Sequence, residues 1–254
     1  MGIYVVSHKP LSSEPELIDG YMPFFVGPNR ELLSAGGGVV DGFGENIAEL
    51  NSSFCELTAL YWVWKNCNDS QKGIVHYRRF FKELRNRGSL IKLDDAVGLL
   101  GRFDLILPEK YWLLNTVERH YASHHNDKDL KLLMESVASV QPDYLEAFDE
   151  CMKLHYVYPY NMLIANAGVY DAYCEWLFSI MFNLRDSLAA SGGIDRDTYQ
   201  SRVYGFLSER LMNVYVIGSG VKIFEAPVLL TEQNLKRSVS MGLASLLFSK
   251  GSTS

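Results

Sequence analysis

Two adjacent arginines in the run His76-Tyr77-Arg78-Arg79 follow directly on the apolar segment Gly73-Ile74-Val75. A guanidinium grips a phosphate through paired, charge-assisted hydrogen bonds, so two side by side can clamp a phosphate or diphosphate. The same residues can equally be a surface arginine pair beside a core histidine. A second candidate is Ser208-Glu209-Arg210, inside a largely apolar stretch from Arg202 to Leu211. A carboxylate in such surroundings is placed to act as a general base, its pKa set by burial and by the neighbouring arginine. A buried Glu–Arg pair that merely fixes a helix would read the same way. His120 and His124 stand four residues apart, a helical spacing that can bind a metal, with Glu118 before them and His125, Asp127 and Asp129 behind. His120 is followed by Tyr121, so no H-E-x-x-H pattern is present. A histidine pair that makes hydrogen bonds, or binds an anion when protonated, is the plainer reading.

A fourth group, His8, Lys9, Asp41 and Asn46, brackets a glycine-rich stretch. That stretch matches neither G-x-G-x-x-G nor G-x-x-x-x-G-K-[ST], so the usual dinucleotide and P-loop sites are not indicated. G-x-S-x-G is also absent, which argues against a standard serine hydrolase. Tyr158, Tyr160, Trp62, Trp64, Trp112 and Trp176 could stack on sugar rings or a base, although most aromatics are simply core.

These side chains need elements to position them. Residues 3–7 are apolar and rich in β-branched types, and read as a strand buried on both faces. Pro10 ends it, and residues 11–46, with Gly36-Gly37-Gly38, read as one long loop. Phe54, Leu57, Leu60, Tyr61 and Trp64 give helical spacing over 53–66, with Ser53 and Glu56 as a capping box. Further strands are expected over 73–77, 103–107, 160–165, 214–217 and 221–226. Further helices are expected over 94–100, 115–135, 142–154, 169–188 and 198–211. Strands alternating with helices predict an α/β fold. In an open sheet of that kind ligands bind at the carboxyl ends of the strands, where the His76–Arg79 run falls.

Composition sets outer limits. The chain has 254 residues, 48% hydrophobic and 21% charged, with a net charge of −6. That much apolar content supports a real core in one domain with at most a small appendage. The acidic balance argues against a nucleic-acid binder. Cys55, Cys67, Cys151 and Cys174 form no C-x-x-C pair and no disulfide framework. The N-terminus lacks the pattern of a secretory signal, and no apolar run approaches the ~18 residues of a membrane span. A soluble protein of a reducing cytoplasm is therefore expected. Residues 234–254 differ from the rest: Lys236, Arg237 and Lys250 accompany Leu235, Val239, Leu243, Leu246 and Phe248. This basic, amphipathic segment either packs as a terminal helix or lies on the anionic inner face of a membrane.

Four ordered blocks carry a family resemblance: Ser7-His8-Lys9-Pro10, Phe54-Cys55-Glu56-Leu57-Thr58-Ala59-Leu60-Tyr61-Trp62, His76-Tyr77-Arg78-Arg79-Phe80-Phe81, and Phe206-Leu207-Ser208-Glu209-Arg210-Leu211. From about residue 3 to 231 the chain resembles a bacterial family of capsular and exopolysaccharide glycosyltransferases, long catalogued as a domain of unknown function. Some of its members are galactofuranosyltransferases. The resemblance implies a GT-A-like nucleotide-sugar-binding fold over 1–233, a mostly parallel sheet flanked by helices. It implies transfer of a sugar from a UDP-sugar to a lipid-linked glycan acceptor in capsule, exopolysaccharide or O-antigen synthesis. Glu209 is then the general base of an inverting reaction. His8, Lys9, His76, Arg78, Arg79 and Arg210 hold the nucleotide and its phosphates. Asn161, Tyr160, His120, His124 and His155 contact sugar or acceptor. GT-A enzymes carry Asp-x-Asp at the end of a strand comparable to 73–77, and here His-Tyr-Arg-Arg stands instead. No divalent metal or other cofactor is expected, because the arginines would neutralise the diphosphate. The rival expectations are a metal-dependent hydrolase built on His120 and His124, and a non-catalytic nucleotide- or sugar-binding module.

Overall fold

The computed structural model describes residues 1–11, 20–83, 89–190 and 199–230. The basic C-terminal segment, 234–254, lies outside them. The chain begins with β1 (Gly2–Ser7), β2 (Tyr21–Phe25), the short helix α1 (Arg30–Leu33) and β3 (Val39–Val40). Then come α2 (Asn51–Phe54), α3 (Leu57–Asn66), β4 (Gln71–His76) and β5 (Arg79–Phe81). α4 (Leu93–Leu100), β6 (Leu105–Pro108), β7 (Tyr111–Trp112), α5 (Val117–His124), α6 (Lys128–Val140) and α7 (Leu145–Lys153) follow. The described chain closes with β8 (Tyr156–Val157), β9 (Leu163–Asn166), α8 (Ala167–Ala190), α9 (Val203–Ser219), β10 (Ile223–Ala226) and β11 (Val228–Leu230).

The main sheet runs β10-β6-β9-β4-β1-β2-β3, with β5 and β11 attached at the end of β4. β3, β2, β1 and β4 are mutually parallel, as are β6 and β10; β9 is reversed against both neighbours. Strand alternation explains why β1 carries only large apolar or aromatic side chains from Ile3 to Val6. Tyr4 and Val6 face one core with Ile74, Leu105 and Leu163, beneath α3 and α6 to α9. Ile3 and Val5 face the other core with Val75, Ile106 and Ile164, beneath α4 and the β5–β11 pair. With both faces covered, no position is left for a polar side chain to reach water.

Four local expectations are corrected. The loop over 11–46 contains β2, paired in parallel with β1 from Tyr21 to Phe25. Pro23 hides this strand from a sequence reading, yet β3 pairs only with Phe24 and Phe25, so Pro23 lies beyond its ladder. The helix over 53–66 is broken at Cys55, which has φ 54° and ψ −128°. Ser53 therefore caps nothing downstream: its hydroxyl donates to the Leu50 carbonyl, and Glu56 is free for other partners. The helix over 115–135 is two helices, parted at His125–Asp127, where the Asn126 side chain accepts the Lys128 N–H at 3.2 Å. Finally, 214–217 is not a strand but the last part of α9, which runs on to Gly220 at φ 67°. Val214 and Tyr215 are buried there, and packing outweighs their β-propensity.

Candidate active site at the carboxyl ends of β1 and β4

Because β1 and β4 are parallel neighbours, their carboxyl ends bring His8-Lys9 beside His76-Tyr77-Arg78-Arg79. Ser7 fixes the first corner, donating its hydroxyl to the Lys9 carbonyl at 2.7 Å and accepting the Lys9 N–H at 3.1 Å. The exposed His8 ring meets the Tyr77 ring edge-on, with centroids 5.5 Å apart. A tight reversal then returns the chain as β5. Arg78 folds onto Tyr77, its guanidinium 4.5 Å from the ring centroid and hydrogen-bonded to the Tyr77 hydroxyl. Its Nε is buried and has no hydrogen-bond partner among the described residues. An orphaned donor of this kind is uncommon in a folded protein and suits a ligand acceptor. Arg79 turns the other way and stacks over Tyr160 at 4.2 Å.

Tyr160 and Asn161 precede β9 with φ of 79° and 50°. With Cys55 they are the non-glycine residues of positive φ among those described, and all three converge here. Left-handed backbone at non-glycine residues is held only where the surroundings enforce it. Asn161 is buried; it donates to the Glu56 carboxylate at 2.7 Å and to the Gly205 carbonyl at 3.2 Å, and accepts from Ser208 at 2.9 Å. The Tyr160 N–H donates to Glu209 at 3.0 Å. The Tyr160 carbonyl lies 2.5 Å from His76 Nε2, and because a carbonyl only accepts, that nitrogen carries the proton. Helix α9 and strand β4 thus hold the Tyr160–Asn161 turn from opposite sides.

Glu209 keeps 25% of its side-chain surface open and pairs with Arg210 at 3.2 Å. Burial raises its pKa; the Arg210 and Arg79 charges and the Tyr160 N–H oppose that rise, and Glu56 adds to it. His8 is pushed down by partial burial and by Lys9, Arg78 and Arg202, and His76 by burial foremost. Both imidazoles are therefore held towards the neutral form, by burial first and by the neighbouring cations second. Arg210 reaches the histidine group on α5: its guanidinium donates to His120 Nδ1 at 3.4 Å. Burial, Arg210, His124 and His125 together drive the His120 pKa to about 4.

The structure therefore groups His8, Lys9, His76, Arg78, Arg79, Tyr160, Glu209 and Arg210 at one end of the sheet, and joins His120 to them through Arg210. His124 is one step further out, its ring 4.6 Å from that of His120 and its Nδ1 against the His120 carbonyl. One expected contact is corrected. Asn161 uses both its donors and its acceptor inside the protein, so it supports the turn rather than reaching a sugar. His155 is exposed on the β7–β8 ribbon, where its carbonyl accepts the Leu113 N–H. Sequence reading missed Glu56 and Arg202 as site residues. Glu56 looked like a helix cap, but its charge acts on His8, His76, Arg202 and Glu209. Arg202 contacts Cys55 Sγ at 3.2 Å and adds a fourth guanidinium, beside those of Arg78, Arg79 and Arg210, to the group. Only the break at Cys55 turns Glu56 towards Asn161, and no sequence signal announced that break.

A divalent metal, which a GT-A-like fold implies, does not suit this donor set. Where carboxylates would hold it stand Arg78 and Arg79, and no cluster of three or more His, Cys, Asp or Glu side chains able to hold a metal occurs among the described residues. The His120–His124 pair fares no better, since a cation there would face the Arg210 guanidinium.

Across known structures, the apo form of WbbM, a bifunctional glycosyltransferase, superposes with a TM-score of 0.75 at 26% identity. The match covers 91% of this chain and 45% of that one, so this chain spans less than half of WbbM. No curated protein matches. The family model for a domain of unknown function, DUF4422, matches residues 2–219. An α/β fold with a mostly parallel sheet flanked by helices, expected from the resemblance, is the one found, and by the match over residues 2–219 the chain belongs to the DUF4422 family.

Proposed function

We propose that the protein is a glycosyltransferase that moves a sugar, galactofuranose in our reading, from a UDP-sugar to a glycan acceptor with inversion and without a metal. One observation carries this: a cationic cradle and a carboxylate of raised pKa meet at a single strained turn, Tyr160–Asn161, at the carboxyl ends of parallel strands. The likeness to WbbM supports the reaction class.

In this reading the diphosphate rests against Arg78, Arg79 and Arg202, with His8 and Lys9 towards the nucleoside. Glu209 takes the proton from an acceptor hydroxyl. That oxygen attacks the anomeric carbon from the face opposite the leaving group, and the departing bond electrons pass to the UDP oxygen. The guanidiniums offset the charge that grows there, in place of a metal ion. The raised pKa makes Glu209 a stronger base than an ordinary carboxylate. Arg210 holds one carboxylate oxygen and the Tyr160 N–H the other, which fixes the plane of the group. Capsule, exopolysaccharide or O-antigen synthesis supplies a lipid-linked acceptor, which residues 234–254 would approach by lying on the cytoplasmic face of the membrane. No helix among the described residues is long and apolar enough to cross a membrane.

Calorimetric titration of UDP, with and without EDTA, tests the reading. Micromolar binding that survives EDTA is expected. Binding abolished by EDTA would overturn the arginine cradle, and no binding even with added manganese would overturn the UDP-sugar reading.

A further inference from the structure

Tyr160 also lines an open cleft of about 180 Å³. Its other lining residues are Glu109, Lys110 and Tyr111, at the step from β6 into β7, Pro159, and Val228 and Leu230 of β11. We infer that this cleft binds one uncharged sugar ring of the acceptor glycan. The word acceptor rests on the transferase reading; the sugar site itself rests on the cleft.

Its size excludes the donor. Sites for drug-sized ligands occupy ~300–1,000 Å³, so this one takes a single ring and not a nucleotide sugar. Its charge points the same way. Lys110 is already paired with Glu225 at 3.0 Å, which leaves Glu109 as the open acceptor. Glu225 also accepts the Tyr158 hydroxyl at 3.0 Å, so the lysine is held in place. Among the described residues no uncommitted cation lines the cleft to attract a phosphate or a carboxylate. The walls instead combine what a sugar ring presents. Tyr111 and Tyr160 offer ring faces for its C–H surface, Val228 and Leu230 offer apolar contact, and Glu109 accepts hydroxyl protons. The neighbouring ribbon continues the aromatic surface outward: Trp112 is 42% exposed and packs on Tyr156 with centroids 5.5 Å apart. A glycan longer than one ring would run along it.

The position links cleft to chemistry. Tyr160 lines the cleft, and the same residue carries Arg79 on its ring and donates its N–H to Glu209. Arg79, Glu209 and Tyr111 all act electrostatically on its phenol. A ring seated against Tyr160 therefore lies next to the base and the cationic cradle while remaining outside both.

The test uses the full chain and a panel of methyl glycosides: α- and β-galactopyranoside, glucopyranoside, mannopyranoside and N-acetylglucosaminide. Binding is read by saturation-transfer NMR, and UDP binding is measured in parallel. At least one glycoside should bind, and Tyr111→Ala and Val228→Trp should each weaken it tenfold or more. Glu109→Ala, at an exposed position that folding does not depend on, should weaken it about threefold and keeps the test decisive if the other two misfold. Absence of binding by every glycoside, or unchanged affinity in a folded variant, overturns the inference. Glycoside binding without UDP binding would leave the sugar cleft standing and remove the UDP-sugar reading. UDP binding without glycoside binding would do the reverse.

Discussion

At the scale of residues, roles divide by what each side chain already touches. Glu209 has one oxygen on a backbone N–H and the other on Arg210, and a quarter of its surface remains open to a substrate hydroxyl. Glu209→Gln should lower turnover by roughly two to four orders of magnitude while UDP affinity is nearly kept, as loss of a general base does; steady-state kinetics beside calorimetry measures both. Unchanged turnover would remove Glu209 from the chemistry. The raised pKa also predicts an acid limb of kcat/KM above the ordinary carboxylate range, with activity lost as pH falls through it. Arg79→Ala should weaken UDP binding by roughly one to two orders of magnitude, the effect of losing about 1.5–3 kcal/mol of charge-assisted hydrogen bonding. A folded variant with wild-type UDP affinity would rule out the clamp. His120 gives a further pH signature. Its pKa in the fold, about 4, is below the unfolded value near 6.5, so between those limits the unfolded chain binds the extra proton. Stability should therefore fall as pH drops from about 6.5 towards 4, with Arg210, His124 and His125 as the opposing charges. Glu209 and Asp41, whose pKa values are raised, work in the opposite direction. Thermal melts across this range should show a shallower loss for His120→Gln than for wild type.

At the scale of elements, the site is a turn clamped between a helix and a strand. Asn161 is the clamp's centre, joining Glu56 at the start of α3 to Ser208 and Gly205 on α9. Asn161→Ala strips three hydrogen bonds and leaves alanine at φ 50°. A loss of roughly 2–4 kcal/mol follows from the unpaired buried partners and the left-handed backbone. Urea unfolding would report it, and a change below about 0.5 kcal/mol would mean that the turn is held by something else.

At the scale of the whole molecule, the sheet is tied to its helical layer by a polar bond as well as by packing. Lys72 of β4 is 2% exposed, and its ammonium meets Asp171 of α8 at 2.6 Å. Asp171→Ala would leave a lysine buried without its partner. Its expected cost is about 1–3 kcal/mol, below that of a fully enclosed pair because the Asp171 side chain is 42% exposed. Lys72→Met, which removes the charge and keeps the volume, should come closer to neutral. Chemical denaturation of both variants tests this, and equal losses would show that shape rather than charge decides the position.

Periodicity alone determined much of the framework. The unbroken apolar run of β1 required two covered faces, and the spacings in α7 and α8 required helices on a sheet, because a side chain's direction follows from its step along the chain. Residue chemistry marked His76–Arg79 and Glu209 as candidates while leaving a structural arginine pair and a buried Glu–Arg pair equally open, and the family resemblance gave them their expected roles. The tertiary structure decided what long-range contact controls. Pro23 could enter a strand because β3 stops short of it. Residues 214–217 stayed helical because α9 is packed almost all round. Glu56 faced the site because Cys55 adopts a backbone conformation stabilised only by its surroundings. Local preference is worth tenths of a kcal/mol to about 1 kcal/mol per residue, and burial of a large side chain about 1.5–3 kcal/mol. Where the two disagreed, burial prevailed, and which surfaces would be buried together was settled only when strands distant in sequence became neighbours.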